Sequence, residues 1–328
     1  MKPLLEIRNL HVHYRTFEGL LKVLNGVDMS IAEGEKVSLV GETGCGKTTT
    51  IKSVLQVLPI PPARICAGEI LYRGKDILRM SSREIRRLRK GEISAIFQDP
   101  LSALNPVFTV GYQLQDIVKH LRKGKSREER SRKRIREQAI AVLRETGMPD
   151  PERILYNYPI QLSGGMRQRV CISEAFSTAA RLLLADEPTT NLDVTIQDQI
   201  LRRLDELVEK TGTSILLISH SLGVVRNVTS RVYIMYAGNI VEEAGTRDLF
   251  AQPAHPYTKA LVKTVPKLTG QGVSRGIPGR IPNYLNPPEG CRFHPRCDQA
   301  MAICKTQRPP FFRIEDGHQV ACFLYERS

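Results

Sequence analysis

The 328-residue sequence has no stretch approaching the roughly 18 consecutive apolar residues that a membrane-spanning helix needs; its apolar runs, such as residues 214–218, have strand length. The opening Met1-Lys-Pro-Leu-Leu-Glu-Ile-Arg places Glu6 and Arg8 where a signal peptide would need its apolar core. Both absences predict a soluble, cytoplasmic chain. There is no internal repeat and no low-complexity tract, and the 41% hydrophobic content supports a sizeable core, which excludes a disordered or collagen-like chain. Acidic side chains are in deficit, 34 against 48 basic, for a net charge of +14. The length predicts two domains, or one with an appendage.

The excess charge is local. Residues 83–90 hold five basic side chains against Glu84, and residues 119–136 hold ten against Glu128 and Glu129. Neither tract interleaves aromatics, which argues against a platform for stacking single-stranded bases. The remaining readings are a solvated helix face, nucleic-acid contact, and attraction to an anionic membrane leaflet at about 1 kcal/mol per basic residue.

Residues 37–40, Val-Ser-Leu-Val, read as a short buried strand, and 48–58 as a helix by the spacing of their apolar residues. Between them stands Gly41-Glu42-Thr43-Gly44-Cys45-Gly46-Lys47-Thr48. Glycines at these positions permit a tight loop whose amide N–H groups point inward and whose exit is a helix N-terminus, a ready anion site. Lys47 would reach the β and γ phosphates of a nucleotide, the Thr48 hydroxyl would hold Mg²⁺, and Thr49 would belong to the nucleotide-binding loop without serving the metal. Cys45 contributes mainly its backbone, although an exposed thiol there would make the site sensitive to alkylation.

Residues 182–188, Leu-Leu-Leu-Ala-Asp-Glu-Pro, form an apolar strand ending in two carboxylates. Asp186 is placed to bind Mg²⁺ and Glu187 to polarise an attacking water, because phosphoryl transfer is mostly positioning plus charge stabilisation. A further strand, 215–219, runs into His220, which can sense a γ-phosphate. Leu162-Ser163-Gly164-Gly165-Met166 precedes an amphipathic helix and makes a second helix-N-terminal anion site. Two phosphate-binding loops in one chain predict that they serve different nucleotides across a dimer.

With these motifs the chain resembles the ATP-binding cassette (ABC) ATPases over residues 3–250. The 41–48 loop matches the Walker A motif and 182–187 matches Walker B with its catalytic Glu187. Residues 162–165 match the signature loop, with Met166 in place of the usual Gln, and Thr190-Asn-Leu-Asp193 matches the D-loop. Ile96-Phe-Gln98 matches the Q-loop, His220 the switch histidine, and Tyr14 the aromatic that stacks on adenine. Gln98 would touch Mg²⁺ or the attacking water. The strings Gln98-Asp-Pro-Leu-Ser-Ala-Leu-Asn-Pro106, His255-Pro-Tyr-Thr258 and Cys291-Arg-Phe-His-Pro-Arg-Cys297 are similar to the dipeptide/oligopeptide importer ATPases, with nickel and glutathione importers as close alternatives. A soluble nucleic-acid-associated cassette protein is the runner-up class.

The resemblance implies an α/β fold with a RecA-like P-loop core, an N-terminal antiparallel β subdomain, a helical signature subdomain over about 98–180, and an irregular Cys-rich extension over 251–328. It also implies ATP and Mg²⁺ as ligands and head-to-tail pairing with a second, related ATPase. Two permease subunits, an extracytoplasmic peptide-binding protein and a peripheral position on the cytoplasmic face of the membrane complete the picture, with no nucleic acid. In this setting the 119–136 block reads as complementary to the leaflet or the permease.

Four of the seven cysteines, Cys291, Cys297, Cys304 and Cys322, fall in the Pro-rich extension. Disulfides are disfavoured in a reducing cytosol. Four soft thiolates then fit tetrahedral Zn²⁺ or a [4Fe–4S] cluster. The resemblance implies the cluster. Cys66 and Cys171 read as ordinary small residues, Cys171 being buried, and His294 as a surface or supporting residue.

Overall fold

The computed structural model describes residues 3–121, 126, 128, 131–190, 192–220, 222–264 and 276–326. Arg122, Lys123, Lys125, Arg127 and Arg130 of the basic block, and Asn191, lie outside the described residues. The chain forms two compact units, Met1–Met80 with Leu217–Ser328, and Ser81–Leu216.

The first unit opens with β1 (Leu5–Thr16), β2 (Gly19–Ile31), β3 (Lys36–Val40), β4 (Ala63–Tyr72) and β5 (Lys75–Asp76). Strands β2, β1, β4 and β5 lie in that order as an antiparallel sheet. Along β1 the buried residues are Leu5 and Ile7, then Leu10 and Val12. The switch from odd to even numbers would turn the second pair outward in a regular strand. A bulge absorbs it: the register shifts between Ile7 and Leu10, with Asn9 at φ 46°.

The second unit carries β6 (Ile93–Ile96) and β7 (Leu182–Asp186), paired in parallel. Its helices Val110–Leu121, Arg132–Glu145 and Gly164–Ser177 pack around Leu114, Ala139, Leu143, Val170 and Leu155. Two of these three helices start on side-chain caps, Ser131 accepting from the Arg134 amide and Ser163 from that of Met166. The helix Ser82–Gly91 buries only Ile85 and Leu88. The basic side chains of 83–90 are therefore a largely solvated helix face.

β8 (Ser214–Ser219) carries the chain back to the first unit, where β9 (Arg231–Tyr236), β10 (Asn239–Gly245), β11 (Phe312–Glu315) and β12 (His318–Val320) follow. β3 runs parallel to β9, and residues 37–40 are all buried, as expected of a strand covered on both faces. β9 pairs antiparallel with β10, β10 with β12, and β12 with β11.

The extension is thus not simply irregular, as its proline content predicts. Its last strands add to a sheet begun by β3 and β9, and Phe293 plugs into the core, packing against Tyr236, Tyr257 and His255. On β10, beside β12, the buried Glu242 accepts hydrogen bonds from the Ala254 and His255 amides at 2.8 Å and pairs with His318 at 2.9 Å. Burial pushes the Glu242 carboxyl up, but the bonds from His318, Thr258 and the two amides outweigh it and hold the group below its ordinary range.

Candidate active site

The 41–48 loop joins β3 to the helix Lys47–Leu55. Its shape depends on glycine at two places. Gly46 caps the helix at φ 113°, and a β-carbon on Gly41 would fall 2.1 Å from the Met235 carbonyl. The loop is pinned internally, Cys45 N–H donating to Glu42 O at 3.2 Å and Gly238 N–H donating to Cys45 O at 2.8 Å. Lys47 is buried, and its ammonium lies back across the loop, donating to Gly41 O at 2.8 Å and Glu42 O at 3.1 Å. A helix N-terminus, inward-curled backbone and a buried ammonium together fit a polyphosphate. Thr43 and Gly44 are exposed, while Thr48 and Thr49 sit partly buried on the first helical turn. The Thr48 hydroxyl on that first turn is the kind of hard oxygen donor that suits Mg²⁺.

Cys45 departs from one expectation. It is fully buried, and desolvation pushes its thiol up despite the nearby Lys47, so it is not the exposed thiol that alkylation would reach.

Asp186 is buried at the end of β7, and Glu187 follows it at φ 47°, a left-handed conformation uncommon for a residue with a side chain. The Glu187 carboxylate is held from two sides. Oε2 accepts from Gln98 Nε2 at 3.0 Å and from Thr190 Oγ1 at 2.9 Å. Gln98 follows β6, so the parallel pairing of β6 and β7 brings the two sequence-predicted residues together across 89 positions. Backbone strain at a carboxylate whose orientation is fixed by two donors is a pattern met at reacting centres. Thr190 was singled out by the sequence only as part of a string; its hydroxyl proves to be a direct partner of Glu187.

Ser163 caps the helix Gly164–Ser177 by accepting from the Met166 amide at 3.3 Å. Ser163, Gly164, Gly165 and Met166 line an open hollow together with Leu192 and Asp193, so the predicted signature loop and D-loop share one concavity. Asp193 is exposed and makes no side-chain cap bond to the helix Val194–Thr211 that it precedes. His220 is exposed just past β8, and Tyr14 is half-buried on β1 opposite Leu21 and Ala63.

Of the four C-terminal cysteines, Cys304 and Cys322 are buried and Cys291 and Cys297 half-buried. Burial pushes the Cys291 thiol up to about 11, and its proximity to Cys304, Cys322 and Cys297 adds to the rise. Amide N–H groups of Phe293, Gln299 and Leu324 point at the sulfurs of Cys291, Cys297 and Cys322. Among the described residues, however, no group of three or more His, Cys, Asp or Glu side chains is close enough to hold a metal ion. The expected four-thiolate site is gathered but not assembled. His294 turns its Nδ1 to Cys291 O at 2.9 Å rather than joining the thiols.

Sequence reasoning missed the side chains that reach the phosphate loop from the far end of the chain. Tyr257 Oη accepts from the Glu42 amide at 2.9 Å, Tyr284 Oη donates to Gly44 O at 2.8 Å, and Arg296 forks onto the Glu42 carboxylate at 2.7 and 3.0 Å. No local spacing announces contacts across 215 to 254 positions.

Comparison with known proteins agrees with this geometry. The ABC transporter family model matches residues 24–190, and that of the oligopeptide/dipeptide transporter C-terminal region matches residues 241–304. The dipeptide transport ATP-binding protein DppD of Bacillus subtilis is 42% identical over 100% of this chain and 96% of its own. The oligopeptide transport ATP-binding protein OppD of Salmonella typhimurium is 41% identical over 98% of this chain and 93% of its own. Among solved structures, the ATP-binding cassette MJ0796, a dimer bound to ADP and Pi in a post-hydrolysis state, superposes with a TM-score of 0.65 at 26% identity, covering 74% of this chain and 99% of that one. With its loops formed as described and both family models matched, the chain belongs to the ABC transporter family and carries the C-terminal region of its oligopeptide/dipeptide branch.

Proposed function

We propose that the protein is the ATP-binding and ATP-hydrolysing subunit of an importer of dipeptides or oligopeptides. The observation that carries the hydrolytic part is the Glu187 carboxylate, held by Gln98 and Thr190 at the end of β7. In this reading the 41–48 loop binds the phosphates through its amides and Lys47. Glu187 orients water for attack on the γ-phosphorus, and Gln98 fixes the rotamer in which it does so. Thr48, Asp186 and Gln98 are the residues that would hold Mg²⁺, which when bound would offset negative charge on the phosphate oxygens. His220 reports on the γ-phosphate, and Tyr14 stacks on the adenine.

Ser163, Gly164, Gly165 and Asp193 present an anion site to the nucleotide of a second ATPase subunit. The shared hollow of the signature loop and D-loop supports this, as does the dimeric state of MJ0796. A related but different cassette as that second subunit, two permease subunits and an extracytoplasmic binding protein complete the assembly. In this reading the subunit is peripheral, on the cytoplasmic face of the membrane; among the described residues no helix is long and apolar enough to cross one. The names of the relatives favour peptides over nickel or glutathione and over a nucleic-acid role.

Glu187→Gln keeps the site's shape and removes the base. ATP affinity should stay within about threefold while turnover falls by about 10²–10⁴-fold, and the ATP-bound dimer should accumulate on size exclusion. Turnover at the level of the unaltered protein would refute the assignment.

We further propose that Cys291, Cys297, Cys304 and Cys322 close around a soft metal centre, a [4Fe–4S] cluster ahead of Zn²⁺, as a clip for the extension. The support is the donor set and the mutual proximity of the thiols. Iron, sulfide and zinc analysis of anaerobically purified protein, with its absorption spectrum, tests this. ATP-binding protein free of all three would reject it.

A further inference from the structure

Glu42 is an anion built into a loop that binds anions. Its backbone belongs to the cradle, since its carbonyl accepts from Lys47 Nζ and Cys45 N–H and its amide donates to Tyr257 Oη. Its carboxylate is therefore carried wherever the loop is carried. A free carboxylate there would oppose a triphosphate through a partly desolvated medium, where Coulomb interactions are several times stronger than in water.

Arg296 meets that carboxylate with a two-pronged bond, Nη1 to Oε2 at 2.7 Å and Nη2 to Oε1 at 3.0 Å, and its side chain is only 5% exposed. The three other N–H groups of the guanidinium are also taken. Nε donates to Pro278 O, Nη2 to Ile277 O and Nη1 to Tyr236 Oη. The plane lies over the rings of Tyr236 and Phe293. Five donors thus find five acceptors, an arrangement that the three-donor ammonium of lysine cannot reproduce. Tyr284 adds a second tie to the same loop through Gly44 O.

We propose that Arg296 is a positioning residue for ATP. From the C-terminal region it neutralises Glu42 and holds the 41–48 loop in the form that accepts a triphosphate. The inference rests on the reading of that loop as the phosphate cradle. Because its origin is charge, the effect grows with the number of phosphates and fades with salt.

The test is equilibrium binding of ATP and of AMP to the full chain by titration calorimetry. Arg296→Met should raise the ATP dissociation constant about tenfold, equal to about 1.4 kcal/mol, and that of AMP less than about threefold. Adding Glu42→Gln to that variant should restore ATP affinity to within about threefold, because the opposing charge is gone. Equal losses for ATP and AMP, or no rescue by Glu42→Gln, would show a purely structural arginine and overturn the proposal. If Arg296→Met does not fold, Glu42→Gln alone decides: ATP should bind at least about threefold tighter, since Arg296 then faces the phosphates unopposed, and unchanged or weaker binding overturns it. Lys47→Ala separates the two readings. Undiminished ATP affinity in that variant removes the cradle itself, whereas a loss there with none in Arg296→Met removes only the role of Arg296.

Discussion

Glu174 lies on the helix Gly164–Ser177, with Oε1 buried and no hydrogen-bond partner for it among the described residues. Burial pushes its carboxyl up to about 7 from an ordinary 4.5. The folded state therefore holds a proton that the unfolded chain has lost between those values. This group's contribution to stability falls as pH rises from about 4.5 and reaches its full penalty above about 7, at most about 3 kcal/mol. Glu174→Gln should raise the urea midpoint at pH 8 and leave it nearly unchanged at pH 5; the same gain at both would contradict the titration. Nothing local marks Glu174 in the sequence, because the helix that carries it packs against elements distant along the chain. Lys47, Thr48, Asp186, Glu187, Ser163 and Gln98 stand out as candidates in the sequence because phosphate chemistry demands a few residue types at short, contiguous spacing beside a strand end or helix start. Thr190 and Arg296 do not, because a hydroxyl or guanidinium serving a carboxylate leaves no spacing behind.

At the scale of elements, the extension shows where periodicity fails. β11 and β12 span only residues 312–315 and 318–320, too short for alternation to rise above the surrounding prolines, yet β12 is aligned by pairing Val320 with Glu242 and Gln319 with Glu243. The anchor is Glu242 with His318. Removing a partner from a buried pair of this kind leaves polar groups without acceptors, so Glu242→Ala should cost about 3 kcal/mol in denaturant unfolding. It should also speed hydrogen exchange at Gln319 and Val320 first. A loss under about 1 kcal/mol would mean that β12 docks through apolar contact alone. Because the folded Glu242 carboxyl sits below its ordinary range, its stabilisation is present above the unfolded value of 4.5 and is lost as pH falls through the folded one.

For the molecule as a whole, net charge is the property most open to reinterpretation. At +14, with ten basic side chains in 119–136, the chain should co-sediment with vesicles containing phosphatidylglycerol at low salt and release at about 0.5 M salt, where the screening length falls to a few ångströms. Equal recovery with neutral vesicles would leave only a solvated face. The ties from Tyr284 and Arg296 to residues 41–48 bear on the order in which the molecule is made. A ribosome adding about 5–20 residues per second finishes the phosphate loop early and supplies Arg296 only tens of seconds later. Throughout that interval the nascent cassette carries Glu42 without its counter-charge. A chain interrupted between residues 220 and 296 therefore keeps every phosphate-binding motif yet lacks the side chain that neutralises one of them. Translation itself thereby delays the completed cradle until residue 296 has been added.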